Sequence, residues 1–381
     1  MKISSEFDSG NIDVVSVASP TNIQLKLKKD NNACTRQWFH FCLDTSANEV
    51  HKITIVNAGE SSFSNALTGY NVLASYNKEN WFRVESYYDE QALIIHHTPT
   101  SSRIFYAYYV PYYYERHQAL MSKIMCLDFF DKKNLGTSLD NHPIELVVIG
   151  EQAAHKKKVW IVGRQHPGET MAQWFIEGIL THFINKAPSS LQLLSSAVFY
   201  LVPNMNPDGS VRGNHRTNAA GINLNRQWHH PSKLECPEVY YVRRAMHEIG
   251  VDLFLDIHGE EEIPYAFMMG GSSSLKLKQQ ADEFKGRFAQ SNTNFQTLYD
   301  YDNYQSGCGV GCCGSTFNQP HELAKATDYV EHNFGCLSLL LELPFKTPLS
   351  VEAKTANNPQ EQCIALGQSI LDPIAHYIAL K

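Results

Sequence analysis

Apolar and polar positions follow two different rhythms along the 381-residue chain. Up to about residue 115, short β-branched and aromatic runs ("IQLKLK", "WFHFCLD", "HKITIVNA", "WFRVESYY", "ALIIHHT", "RIFYAYYV") alternate with clusters of Asn, Ser, Asp and Gly, with no helical period. Runs of this length at this spacing predict a small antiparallel β-sandwich. Near Pro111 the rhythm changes. In "PYYYERHQALMSKIM" the apolar residues Leu120, Ile124 and Met125 fall at helical intervals. Strands then alternate with helices. The strands are "IELVVIG", "KVWIVG", "AVFYLVPN", "DLFLDIHG" and "LSLLLELPF". The helices are one from about Glu169 to Ile184, "PEVYYVRRAMHEIG", "SLKLKQQADEFKGRFAQ" and a last one over "PQEQCIALGQSILDPIAHYIAL". Nearly continuous apolar strands between helices mean a sheet buried on both faces, hence an α/β half with a mixed, mostly parallel sheet flanked by helices. The expected division is residues 1–115, an all-β antiparallel sandwich domain, and residues 116–381, an α/β domain; a chain this long suits two domains of roughly 100–200 residues each.

Composition narrows the partners. Hydrophobic residues make up 43% and charged residues 19%, a folded composition. The net charge of −7 comes with no basic stripe, so neither nucleic acid nor an anionic membrane surface is an expected partner. The first residues, "MKISSEFDSGNIDVV", lack the apolar stretch of a signal peptide, and no run is long enough to span a bilayer. Nine cysteines at irregular spacing read as reduced thiols. The expected setting is cytoplasmic. Cys308, Cys312 and Cys313 in "GCGVGCCG" admit a structural zinc site, but without a matching second Cys pair a glycine-rich loop is the plainer reading.

In open sheets of this kind ligands gather at the carboxyl ends of the strands, and the polar residues cluster there. His166 and Glu169 follow "KVWIVG" and flank a Pro-Gly turn that lets both side chains reach one point. Alone, a His-x-x-Glu pair is equally a polar turn before a helix. His258 ends "DLFLDIHG" and supplies the third ligand of a zinc site made of two nitrogens, one carboxylate and an open fourth position. Asp256, two residues earlier, either orients a ligand or is buried against a partner. Glu342 interrupts "LSLLLELPF", where a carboxylate needs a task or an ion-pair partner; it is the candidate base for a metal-activated water. The loop "NPDGSVRGNHRTNAAGINLNRQW", rich in Asn, Gly and Arg, reads as an anion-recognition loop.

Taken in order, "HPGET", "NPDG", "GNHR", "GINLNRQW", "DIHG" and "LELPF" resemble the zinc carboxypeptidases, and within them the cytosolic carboxypeptidase group. The likeness covers roughly residues 116–381. The leading part, with "FDSGN" near its start and "YYYERH" at its end, looks like the sandwich that precedes the catalytic domain in that group. The resemblance implies one zinc ion held by His166, Glu169 and His258, with Glu342 as general base and acid. It implies that Arg216 polarises the scissile carbonyl and that Asn225 and Arg226 hold the substrate's terminal carboxylate. It offers Tyr329 as the tyrosine that closes over the substrate. The implied partner is a peptide or the C-terminal tail of a protein, and the implied reaction is hydrolysis of the last peptide bond. Relatives that remove acidic residues would need a basic pocket, for which Lys325, His321 and His332 are the plain candidates. Two other readings compete: a related zinc deacylase or amidase acting on small N-acyl amino acids or cell-wall peptides, and a binding module that has lost its chemistry. Retention of all three ligands and Glu342 speaks against the second.

Overall fold

The structure, a computed structural model, describes residues 1–304, 322–346 and 358–380. Cys308, Cys312, Cys313 and His321 lie outside the described residues.

The leading part consists of two five-stranded sheets. One has the order Lys2–Ser4, His40–Asp44, Arg103–Ala107, Val72–Ser75, Trp81–Val84; the other has Asp13–Ser19, Asn22–Lys26, His51–Ile55, Leu93–His97, Ser86–Tyr88. Alternation drives the burial. Ile23 and Leu25 point inward from a strand whose ends, Asn22 and Lys26, are exposed, and they join Phe41, Leu43 and Ile104 of the other sheet in one core. All pairings are antiparallel except Asn22–Lys26 with His51–Ile55, which is parallel. The run "WFRVESYY" is two strands and not one: Trp81–Val84 lies in the first sheet and Ser86–Tyr88 in the second, so the chain changes sheets at Glu85.

After the helix Tyr114–Ile124 comes a seven-stranded mixed sheet, in the order Phe130–Thr137, Pro143–Ile149, Ala197–Val202, Lys157–Gly163, Leu253–Glu260, Leu337–Pro344, Phe267–Gly270. The three central pairings are parallel and the three outer ones antiparallel. Helix Met171–Ile184 is apolar on nearly every side because it is sandwiched between the sheet and helix Pro359–Ser369. Gly178 and Gly367 permit that contact: a Cβ on either would overlap the other helix's backbone. The expected last helix is broken at Ile370 into Pro359–Ser369 and Leu371–Ala379, since Pro373 has no N–H to continue the ladder and its ring crowds the preceding turn. One apolar cluster runs from the sandwich through Tyr108 and Tyr112 to Trp174 and Leu255, so the two parts share a core. No helix among the described residues is long and apolar enough to cross a membrane.

Register positions the chemistry. Strand Leu253–Glu260 lies between the other two strands that matter, and the parallel pairing sets His258 beside Glu342. On the other side Ile257 pairs with Gly163, just before the turn that carries His166 and Glu169.

Candidate active site and metal centre

The turn after Lys157–Gly163 is built to hold two ligands. Arg164 takes a left-handed backbone (φ 58°) and its buried guanidinium donates to Pro167 O (2.9 Å), Tyr112 O (3.0 Å) and Gln173 Oε1 (2.7 Å), which braces the turn. Gly168 is required by close approach, since a Cβ there would collide with His215. Helix Met171–Ile184 starts directly afterwards.

His166, Glu169 and His258 converge, all buried, with one ligand atom of each lying within 4.8 Å of the others. His166 Nδ1 is 2.6 Å from Glu169 Oε1, His258 Nδ1 is 2.8 Å from Glu169 Oε2, and the two Nδ1 atoms are 3.2 Å apart. Outer partners set the rings. His166 Nε2 faces Asn223 Oδ1 at 3.0 Å, and His258 Nε2 faces Asp256 Oδ2 at 2.9 Å, so each ring gives its Nε2–H outward and turns Nδ1 inward. Asp256 is itself held by Gln165 Nε2 (2.9 and 2.8 Å), and Gln165 Oε1 accepts from Trp228 Nε1 (2.8 Å). Asp256 is thus buried against Gln165 and faces the His258 ring.

Two imidazole nitrogens and a buried carboxylate facing one point make a place for a positive charge. That donor set, with one side open to a cleft, fits a divalent zinc ion. The electrostatics agree. Burial pulls the His166 pKa down to about 4. Burial alone would lower His258 too, but Asp256 and Glu169 overcome it and hold its pKa well above the usual imidazole range. Glu169 is pushed below its usual range, the two histidines outweighing the cost of burial.

The cleft beside these residues has a volume of about 590 Å³. Glu342 stands on its wall. Its Oε1 accepts from Tyr301 O–H (2.9 Å) while Oε2, fully buried, has no hydrogen-bond partner among the described residues. Burial above all, reinforced by Glu169 and Glu260 and opposed by His258, holds its pKa well above the carboxylate range. Tyr301 O–H also lies 2.7 Å from Glu260 Oε2. One hydroxyl proton serves one carboxylate at a time, so one of the two contacts requires a protonated carboxyl; both groups are raised, Glu342 as above and Glu260, by burial and by Glu261, to about 7.

Arg216, Asn225 and Arg226 all line the cleft. The "NPDG" segment forms the short helix Pro207–Arg212, capped by Asn206, and Gly213 ends it in the left-handed region at φ 72°. The stretch "NLNR" is a 3₁₀ turn, Leu224–Arg226, whose cap Asn223 accepts from Asn225 N (3.0 Å). Asn223 thus both closes that turn and sets the His166 ring. Asn225 Oδ1 accepts from Ala326 N (2.9 Å), and its Nδ2 lies 3.3 Å from His258 Nε2.

Tyr329 is not among the residues lining the cleft. It sits on helix Ala326–Phe334, packs on Trp228 and bonds His247 Nε2 through its hydroxyl (2.7 Å). The tyrosines at the cleft are Tyr301 and Tyr304. Of the basic candidates, Lys325 lines the cleft and His332 does not. Reasoning from sequence also passed over Asn223, Gln165 and residues 61–65 of the sandwich, which form part of the cleft wall. It passed over Glu260 to Glu262 as well, although an acidic run directly after "DIHG" was a readable signal.

Comparison with known proteins agrees with this geometry. Residues 3–109 match the model of the cytosolic carboxypeptidase N-terminal domain and residues 119–362 that of the zinc carboxypeptidases. The crystal structure of a metallo-carboxypeptidase from Burkholderia cenocepacia superposes with a TM-score of 0.92 at 38% identity, covering 100% of this chain and 99% of that one. A Pseudomonas aeruginosa metallo-carboxypeptidase in complex with (2-guanidinoethylmercapto)succinic acid gives 0.89 at 36%, covering 100% and 99%. Human cytosolic carboxypeptidase 6 is 26% identical, covering 98% of this chain and 78% of its own length. The chain belongs to the zinc carboxypeptidase family, and it is a peptide hydrolase of the metallocarboxypeptidase type.

Proposed function

We propose that His166, Glu169 and His258 hold one zinc ion and that the enzyme removes the last residue from peptides or protein tails, with Glu342 as general base and acid. The observation that carries this is the meeting of two inward Nδ1 atoms and a buried carboxylate beside a wall where Glu342 Oε2 has no partner among the described residues. When bound, the zinc ion supplies Lewis acidity and makes water a nucleophile at neutral pH. Glu342 Oε2 takes the proton from the attacking water and returns it to the leaving amine. Glu342 would ionise more readily beside a divalent cation, which suits it to act as a base. Arg216 donates to the oxygen on which negative charge develops. Asn225 Nδ2 and the Arg226 guanidinium hold the free C-terminal carboxylate, which positions the last peptide bond in the cleft and restricts cleavage to the chain end.

The two-part division, a sandwich over residues 1–115 and a catalytic part over 116–381, belongs to this reading. So does a cytoplasmic setting, supported by the name of the human relative and by the unpaired thiols Cys42, Cys126, Cys236 and Cys363. The substituted succinic acid bound to the Pseudomonas relative is a dicarboxylate, in keeping with a site made of a cation and arginines.

Preference for an acidic last residue is the finer part of the proposal, supported by Lys325, which lines the cleft together with Arg226. Its test is a panel of blocked peptides differing only in the last residue, read by release of that amino acid. Glu-ended peptides are expected to lead, and Lys325→Ala to cut that lead by about tenfold, the value of one charge-assisted contact. A Glu-ended peptide cleaved no better than a Leu-ended one would overturn the preference.

A further inference from the structure

The segment that carries Arg216 is held by the sandwich. Asp30 comes from the leading part of the chain and is only 3% exposed. Its carboxylate accepts from three consecutive amides of the catalytic half: His215 N (2.7 Å) to Oδ1, and Arg216 N (2.8 Å) and Thr217 N (2.9 Å) to Oδ2. Thr217 Oγ1 adds a fourth donor at 3.1 Å. A single carboxylate reading three successive N–H groups fixes the backbone at the residue whose side chain enters the cleft. The other end of that side chain is held as well, because the Arg216 guanidinium lies over the ring of Phe63, also from the sandwich, at 5.6 Å. On its far side the segment abuts the ligand turn, with Gly168 N donating to His215 O (2.8 Å). Arg216 therefore has both its main chain and its charged head set by groups that the catalytic half does not contain.

We propose that Asp30 and Phe63 are positioning residues for Arg216, so that the leading sandwich is a structural part of the active site that completes the oxyanion-binding arginine. The proposal rests on the reading of Arg216 as the group that stabilises the oxyanion. An arginine fixed before substrate arrives costs no reorganisation when charge develops, so loosening it lowers turnover more than binding.

The test uses the full-length zinc-loaded enzyme and a blocked peptide with a free C-terminus. Asp30→Asn keeps the size and one acceptor oxygen but turns an amide N–H₂ toward the N–H groups. It is expected to lower kcat by about tenfold with KM changed by less than about twofold, while zinc content stays native; Phe63→Leu is expected to lower kcat by about threefold. In an Arg216→Ala background both substitutions are expected to change kcat by less than about twofold, because the group they position is gone. An Asp30→Asn loss of equal size with and without Arg216, or a native kcat in Asp30→Asn, would overturn the proposal. A native kcat in Arg216→Ala itself would overturn the reading beneath it, and the proposal with it. Should Asp30→Asn fail to fold, Phe63→Leu, on a half-buried side chain, decides the matter by the same two-background comparison.

Discussion

Glu342→Gln is expected to retain zinc and fold while losing about 10²–10⁴-fold in kcat, the range that one general base supplies. Gln keeps the shape, and its amide oxygen can still accept from Tyr301 O–H, so the wall of the cleft stays intact. What goes is the basic oxygen. The strand register sets Glu342 beside His258, and its Oε2 is buried with no hydrogen-bond partner among the described residues. A purely structural Glu342 would have both oxygens satisfied, since an unpartnered buried carboxylate oxygen costs stability without return. Zinc content by metal analysis, thermal unfolding and steady-state turnover on one cleaved peptide check the expectation together. Near-native turnover would reduce Glu342 to a partner of Tyr301.

The second large effect is expected from His258→Ala. Zinc affinity should fall by more than about a hundredfold, beyond the 10–100-fold that loss of an outer partner costs. Activity should fall with it. The substitution also acts without metal. His258 is the cationic group between the carboxylates of Asp256 and Glu169, and removing it leaves buried charge uncompensated, a loss of about 3–5 kcal/mol in stability. The apo variant should therefore unfold at lower urea than the apo wild type, and equilibrium dialysis against buffered zinc should show the loss of affinity. Full zinc occupancy in His258→Ala would remove that residue from the ligand set.

Much of this site was legible in the chain because its parts sit where strand periodicity breaks off. His258 and Glu342 are polar residues in otherwise apolar strands, and His166 and Glu169 straddle a Pro-Gly turn after another. Such interruptions carry information because an apolar strand excludes charge unless something compensates it. The strands of the α/β half were readable for the same reason, apart from its two edges: Phe130–Thr137, where solvent on one side permits the polar run "FDKKNLGT" and erases the pattern, and Phe267–Gly270, whose four residues are too few to show one. The sandwich showed its runs but not their partition: "WFRVESYY" gives no local sign that Glu85 is a crossing between sheets. Groups joined only by tertiary contact were silent. Asp30 lies 186 residues before Arg216, and nothing around either points to the other. Tyr329 was offered by the resemblance alone, and its helix turns that side chain toward Trp228 and His247; Tyr301, in a turn-rich stretch without periodicity, is the tyrosine that touches Glu342.

The central claim, a zinc enzyme that reads a free chain end, is tested most directly by one comparison: hydrolysis of the same peptide as its C-terminal acid and as its amide, by the wild type and by Arg226→Ala. A charge-assisted bond is worth about 1.5–3 kcal/mol, so the amide should be cleaved at least about tenfold less efficiently than the acid by the wild type. Arg226→Ala should lose a similar factor on the acid and much less on the amide, where the pairing it removes is already absent. Equal cleavage of acid and amide, or an Arg226→Ala defect of the same size on both, would contradict the account and leave an amidase or endopeptidase in its place.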